Sequence, residues 1–308
     1  MSLNVQENIP LASLTTFEIG GAAKYFVEVK TEADIQEAIQ WAKEKNVPFV
    51  ILAGGSNLLI PDGGLSALVI RVVGDDFSFS GNTLEAHPGC NLLSLIRLAG
   101  EKGLGGWEKL AGIPGTIGGA VRGNAGAFGP EIKDFVDYVR ALNIETGETR
   151  EFSNTECTFS YRNSFFKQNP NWIVARVFLN LESIDPAESK RESDNTIAER
   201  EKRHIQNVRA AGSFFMNPVA PANIIEMFEK EKQVTSRGGR VPAGWLIEKA
   251  GMKGASVGDA QASLQHPNYI VNNGNATAQQ VRELAEKIKK AVLEQFGVQL
   301  TEEAVILE

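Results

Sequence analysis

The sequence predicts a mixed helix-and-strand protein of two domains, and three observations carry that reading. The chain has 308 residues, which suits about two domains. Its first half alternates helical and strand patterns. A polar, charged stretch then breaks the composition, and the strongest boundary signal lies near 183–196.

The elements follow in order. Thr31 precedes an apolar stripe of Ile35, Ala38, Ile39 and Ala42, and Asp34 stands three residues on as capping partner. "VPFVIL" reads as a short β-branched strand running into the loop "AGGSNLLIPDGG". "ALVIRV" is a strand, and "NLLSLIRLAGEKG" is a helix closed by Gly103. "KLAGIPGTIGGAVRGNAGAFG" holds too many glycines to be one regular element. "YVRALNIETGETREF" predicts a hairpin turning at Thr146-Gly147, and "NWIVARVFLNLE" a strand. A linker and an exposed helix are expected through the charged stretch. Beyond it, "PANIIEMFEKE" and "AGWLIEKAG" are helices and "YIVNN" a strand. A long amphipathic helix starts at a capping box of Thr277 and Gln280, and "VQLTEEAVIL" is expected as a closing strand.

Composition excludes several classes. Hydrophobic residues make up 43% and charged residues 22%, ordinary for a globular protein with real cores. The formal charge of −7 and the lack of a basic block argue against nucleic acid. No apolar run approaches a membrane span, and the first residues resemble no signal peptide, so a cytoplasmic location is expected. Cys90 and Cys157 are the only cysteines; their spacing fits neither a disulfide scaffold nor a zinc site, and no metal is expected.

Five stretches bear on chemistry. Gly54 and Gly55 free the backbone to aim N–H groups at one point, and Ser56 and Asn57 add donors. That suits phosphate oxygens, although a plain turn after a strand has the same look. The glycine-rich run 112–129 lets a flat ligand approach backbone; a tight packing corner would use the same residues. Two such loops together favour a dinucleotide. Neither a P-loop nor a Rossmann fingerprint is present. Arg162, amid aromatics in "CTFSYRNSFF", reads as an ion-pair strut, an anion donor or a solvated surface group. Ser213, in "AGSFFMNP", lacks the histidine and carboxylate that a nucleophile requires. His87, His204 and His266 lie in no hydrolase motif, and no nucleophile elbow is expected. Of Glu302 and Glu303, strand alternation sends at most one toward a site.

These stretches meet on one family. "TTFEIGGAA" at 15–23, "AGGSNLLIPDGG" at 53–64, "AGIPGTIGGAVRGNAGAFG" at 111–129, "YRNSFF", "AGSFFMNP", "AGWLIEKAGMKG", "HPNYIVNNGNATA" and "GVQLTEEAVIL" occur in its order along nearly the whole chain. The sequence resembles the UDP-N-acetylenolpyruvoylglucosamine reductase family, flavoenzymes of peptidoglycan precursor synthesis. The resemblance implies an α+β fold: a two-part FAD-binding region of the vanillyl-alcohol-oxidase (PCMH) type, then a C-terminal α+β substrate-binding domain. The implied division is 1–185, with a linker and exposed helix at 186–205 and the substrate domain at 206–308.

The family reaction implies roles. NADPH reduces bound FAD, hydride then reaches the enolpyruvyl double bond of UDP-N-acetylglucosamine-enolpyruvate, and the neighbouring carbon gains a proton. By resemblance Ser213 is that proton donor, Arg162 stabilises the enolate, and Glu303 rather than Glu302 polarises it. The flavin would lie on Gly54, Gly55, Ser56 and Asn57, and along Gly112, Thr116, Gly118, Gly119, Gly123, Asn124, Ala125 and Gly126. Tyr161, Asn217, Gln265, Lys202 and Arg203 are the implied substrate contacts, the last two for the diphosphate. The sequence departs from the family pattern in three places. No tyrosine occurs at 163–212 to serve as a lid; Met216 stands where a lysine is common; and Ala304-Val305 replaces a usual Val-Arg. The implied setting is the cytoplasm, with consequences for cell shape and division, and oligomeric state is left open with a monomer as the simplest form. Two alternatives stand beside this reading: another FAD oxidoreductase of the same fold, and a nucleotide-sugar binding protein without catalysis.

Overall fold

A computed structural model describes residues 3–202 and 208–308. The chain forms two compact units. The first takes Met1–Ile9, Ala23–Gly55 and Ser66–Lys202; the second takes Pro10–Ala22, Ser56–Leu65 and Arg203–Glu308. This differs from the contiguous division 1–185, 186–205 and 206–308. Phe17, Ile19 and Leu59 bury their side chains in the second unit's core, so two early segments go with it.

In the first unit, α1 (Glu32–Glu44) opens with the expected capping box. The Asp34 N–H donates to Thr31 Oγ1 at 3.1 Å, and the Thr31 N–H donates to the Asp34 carboxylate at 2.9 Å. Its stripe packs with Val27, Leu68 and Ile70 of a four-stranded sheet, in the order Gln6–Pro10, Ala22–Val29, Leu65–Val72, Phe49–Leu52. A second sheet is antiparallel, in the order Thr149–Ser153, Val136–Asn143, Trp172–Asn180, Thr83–Ala86, Phe77–Ser80. Its hairpin turns through Gly147 at φ +74°, a left-handed conformation that suits glycine. A core rich in Trp107, Phe152, Phe166 and aliphatic side chains lies under α2 (Leu92–Glu101), α3 (Ile117–Gly123) and α4 (Phe165–Gln168).

The charged stretch yields the expected helix, α5 (Pro186–Lys202), with one face buried. This helix packs on α2 through Ser189, Ser193, Thr196 and Arg200, all buried. A Cβ on Gly100 would lie 2.4 Å from Ser189 Oγ, and that hydroxyl donates to Glu108 Oε1 at 2.6 Å. Hydrophobic periodicity is blind to such a polar buried stripe.

In the second unit, α6 (Ala222–Lys232), α7 (Ala243–Lys249) and α8 (Ala278–Phe296) pack with an antiparallel sheet of Ser256–Val257, Ala260–Ala262 and Ile270–Asn272. Helix α8 buries Val281, Leu284, Ala285, Ile288 and Val292. Its predicted capping box is present, and Asp62 adds to it, accepting from the Ala278 N–H at 2.7 Å and the Gln279 N–H at 3.1 Å. The carboxylate meets both orphan donors and the positive end of the helix. Half of the "AGGSNLLIPDGG" loop is therefore a clip inside this unit.

The chain end is only partly the expected strand. Val305–Ile306 runs parallel to Leu58–Leu59, and Glu302 forms an isolated bridge with Phe215. The N–H groups of Glu303 and Ala304 both reach the Phe214 carbonyl, at 2.8 and 3.3 Å. That is the pattern of a bulge, where strict alternation of faces fails. Among the described residues no helix is long and apolar enough to cross a membrane.

Candidate functional site

Each unit carries part of the predicted site. In the first, the strand Phe49–Leu52 delivers Gly54 and Gly55 beside the second glycine-rich run. A Cβ on Gly54 would sit 3.0 Å from Gly115 Cα and 3.4 Å from the Thr116 methyl, so the two loops touch. Gly55, Gly112 and Gly115 have φ of +64°, +83° and +115°. Among the described residues, the Gly54 and Gly55 N–H groups have no acceptor.

Helix α3 separates two kinds of glycine. Gly118 and Gly126 have a packing reason: a Cβ would lie 2.6 Å from Pro88 Cβ and 2.7 Å from Glu131 Cγ. Gly119 and Gly123 have none. A Cβ on Gly119 would meet only Thr116 Oγ1, at 3.6 Å, and one on Gly123 would meet nothing within 4 Å. Both hold ordinary helical backbone, where glycine costs about 0.5–1 kcal/mol against alanine. Among the described residues their bareness serves no contact; it leaves room for a flat ligand against backbone. The residues present therefore fit FAD.

The Arg162 segment is stitched to this run. Arg162 Nη2 donates to the Gly126 carbonyl at 3.2 Å, and Ser164 Oγ to the Arg122 carbonyl at 2.7 Å. Asn124 is fully buried, in left-handed backbone at φ +44° after α3. Its Nδ2 donates to Ser160 O at 2.9 Å and to Glu131 Oε2 at 3.0 Å, and its Oδ1 accepts from the Lys133 N–H at 3.3 Å. The Asn124 amide is thus spent on holding loops. Arg162 itself has φ +54°, its carbonyl accepts from Lys167 Nζ at 2.9 Å, and its guanidinium lies 5.3 Å from the Tyr161 ring centre. Ala125 continues the run, its N–H on the Ala120 carbonyl. Lys202 is exposed at the end of α5, and Arg203 lies outside the described residues.

His87 stands behind the glycines. It is buried, and its Nδ1 accepts from the Gly89 N–H at 3.0 Å. Burial holds it below the ordinary imidazole range, against the pull of Asp76. The loop it fixes takes the first N–H groups of α3: Ile117 to Cys90 O and Gly118 to Pro88 O, both at 2.9 Å. Burial likewise pushes the thiols up, Cys90 to about 11 and Cys157 to about 12.

In the second unit, Ser213 is half-buried and follows Gly212, at φ +75°. The next two residues anchor it. Phe214 and Phe215 are both 1% exposed and meet edge to face at 5.1 Å. The chain end holds one flank, through Glu303 and Ala304 on Phe214 O and through the Met216 N–H on Thr301 O at 2.9 Å. Asn268 holds the other flank. Its backbone carbonyl accepts from the Phe214 N–H at 2.7 Å, its Oδ1 from the Phe215 N–H at 3.0 Å, and its Nδ2 donates to Phe215 O at 2.8 Å. Ser213 and Glu303 thus come together on adjoining backbone. Glu302 turns to α8 and pairs with Lys289 at 3.0 Å.

Within the second unit, Asn57 Nδ2 donates to the Glu303 carbonyl at 3.0 Å. Thr16 Oγ1 donates to Ala210 O at 2.7 Å and lies 3.3 Å from the carbonyl oxygen of Ser56. Asn217 Oδ1 accepts from the Ala243 N–H at 3.0 Å, and its carbonyl from Arg240 at 2.8 Å. Gln265 lines an open depression of about 490 Å³ with Arg209, Gln261, Leu264 and Asn273. The sequence reading missed Asn268, Asp62 and Thr16. Each is a polar residue beside apolar neighbours in a quoted stretch, and only its partners reveal its use.

The letters G-x-S-x-G do occur, at 254–258, contrary to the expectation of none. Ser256 there is exposed on a hairpin strand paired with Gln261, not on a strand-to-helix turn, so it forms no nucleophile elbow. Among the described residues no cluster could hold a metal.

Glycine loops that leave a flat ligand room lie beside a tethered guanidinium in the first unit, an arrangement that accommodates a flavin. Comparison with known proteins agrees. An FAD binding domain model matches residues 23–153, and a model of the UDP-N-acetylenolpyruvoylglucosamine reductase C-terminal domain matches 203–307. The chain is 35% identical to the reductase of Solibacter usitatus, over 98% of this chain and 96% of that one. It is 35% identical to the reductase of Pseudomonas aeruginosa, over 98% and 99%. The solved structure of the Thermus caldophilus reductase superposes with a TM-score of 0.79 at 31% identity, covering 100% of both chains. The chain belongs to the UDP-N-acetylenolpyruvoylglucosamine reductase family. It is an FAD-dependent oxidoreductase of α+β fold that uses NADPH.

Proposed function

We propose that this chain reduces the enolpyruvyl group of UDP-N-acetylglucosamine-enolpyruvate with Ser213 as proton donor, Arg162 as the cation for the enolate and Glu303 as its polarising partner. FAD, when bound, would supply hydride drawn from NADPH to one alkene carbon. Negative charge then grows on the neighbouring carbon and spreads into its carboxylate. A guanidinium already tethered to Gly126 meets such charge without reorganising first. The Ser213 hydroxyl, a weak acid in water, protonates a carbanion-like centre when held close to it. No histidine is required.

Gly54 and Gly55 would supply backbone donors to the flavin diphosphate, and Gly119 and Gly123 the bare surface, with Gly112, Thr116, Gly118, Asn124, Ala125 and Gly126 giving that surface its shape. Ser56 and Asn57 complete the loop. Tyr161, Asn217 and Gln265 serve the substrate, and Lys202 and Arg203 its diphosphate. The product, UDP-N-acetylmuramate, feeds peptidoglycan synthesis in the cytoplasm and so cell shape and division. We take the FAD-binding region as 1–185 and the substrate domain as 206–308, with the early segments 10–22 and 56–65 packed into the latter.

The observation that carries the reading is the double-flanked backbone that fixes Ser213 beside Glu303. Stopped-flow kinetics test it. Ser213→Ala should leave flavin reduction by NADPH intact and slow reoxidation by substrate about 10²–10⁴-fold. Equal losses in both half-reactions would refute the proton-donor role.

A further inference from the structure

We propose that Asn268 is a positioning residue for protonation: its side-chain amide stands in for a neighbouring strand and fixes the backbone that aims the Ser213 hydroxyl. The proposal rests on the reading of Ser213 as proton donor. A primary amide sets an NH2 donor group beside a carbonyl acceptor, the two kinds of group that a neighbouring strand would offer. Asn268 spends both on one residue, taking the Phe215 N–H at 3.0 Å and giving to the Phe215 carbonyl at 2.8 Å. Its backbone carbonyl takes the Phe214 N–H at 2.7 Å. The two residues after Ser213 are therefore held from this flank by three bonds to a single residue.

No regular sheet would do this work here. The segment pairs with the chain end through one isolated bridge, and the bulge at Glu303 and Ala304 leaves that flank irregular. Asn268 is 3% exposed, so water does not compete for its amide. Buried aromatic rings at Phe214 and Phe215 fix the side-chain direction, and the amide fixes the slide of the backbone. A proton donor misplaced by about 1 Å loses roughly 10²-fold in rate, so the amide acts on the reaction without touching substrate.

Asn268→Asp keeps the shape and one acceptor but loses the donor to Phe215 O. Three enzymes besides the parent are compared: Asn268→Asp, Ser213→Ala and the double variant, each checked for a parent-like flavin spectrum. Flavin reduction by NADPH should be unchanged in Asn268→Asp, while reoxidation by substrate slows about 100-fold with a larger solvent deuterium isotope effect. In the Ser213→Ala background the same substitution should add almost nothing, because the aimed group is gone. The same fractional loss in both backgrounds, or a loss in both half-reactions, would overturn the positioning role while leaving Ser213 in place. A normal rate for Ser213→Ala alone would instead remove the proton-donor reading, and this proposal with it. If Asn268→Asp fails to fold, Asn268→Ser carries the same comparison.

Discussion

Asn124 offers the sharpest test of how the first unit is held. Its amide makes three hydrogen bonds, to Ser160 O, Glu131 Oε2 and the Lys133 N–H, from a fully buried position in left-handed backbone. Asn124→Gly keeps the backbone conformation and removes all three bonds. At about 1 kcal/mol each the loss is roughly 3 kcal/mol. Asn124→Ala loses the same bonds and adds about 1 kcal/mol for a Cβ at positive φ. For a unit of this size each kcal/mol lowers the melting temperature by about 2–4 °C, so the glycine variant should melt about 6–12 °C below the parent and the alanine variant lower still. Differential scanning calorimetry without and with FAD measures this, and flavin fluorescence titration should show weaker FAD binding in both variants. If either melts within about 1 °C of the parent, the hydrogen-bond account is wrong. If alanine outlasts glycine, the left-handed backbone is not what selects asparagine.

Three further outcomes are expected. Glu302→Gln should leave turnover near the parent's, since Glu302 is paired with Lys289, whereas Glu303→Gln should slow the substrate half-reaction on the order of 10²-fold; the reverse ranking would exchange their roles. His87 is held below its unfolded value of about 6.5, so the unfolded chain binds its proton first and stability rises with pH. That contribution is complete above about 6.5 and fades as pH falls through the folded value; a His87→Gln variant should flatten the acid limb of melting temperature against pH, and an unchanged limb would refute the coupling. With Cys90 at about 11 and Cys157 at about 12, at most about one thiol in a thousand is ionised at pH 8, so a disulfide reagent should label neither until the protein unfolds; rapid native labelling would contradict their burial.

Local pattern alone determined much of this molecule. Thr31 with Asp34 and Thr277 with Gln280 set two helix starts, because a capping box needs only residues three apart. The glycines at 54–55 and 112–126, Arg162, Ser213 and Glu303 were legible as residue types in order, and the family resemblance rested on that order. Tertiary structure decided what spacing cannot encode. It spent the Asn124 amide on two loops and the Asn268 amide on one residue, and turned Glu302 to Lys289. It drew Pro10–Ala22 and Ser56–Leu65 into the second unit and buried the serine face of α5. The physical reason is common to all of them. A hydrogen bond or a polar buried face depends on which partner arrives from far along the chain, whereas caps and apolar stripes are settled within a few residues.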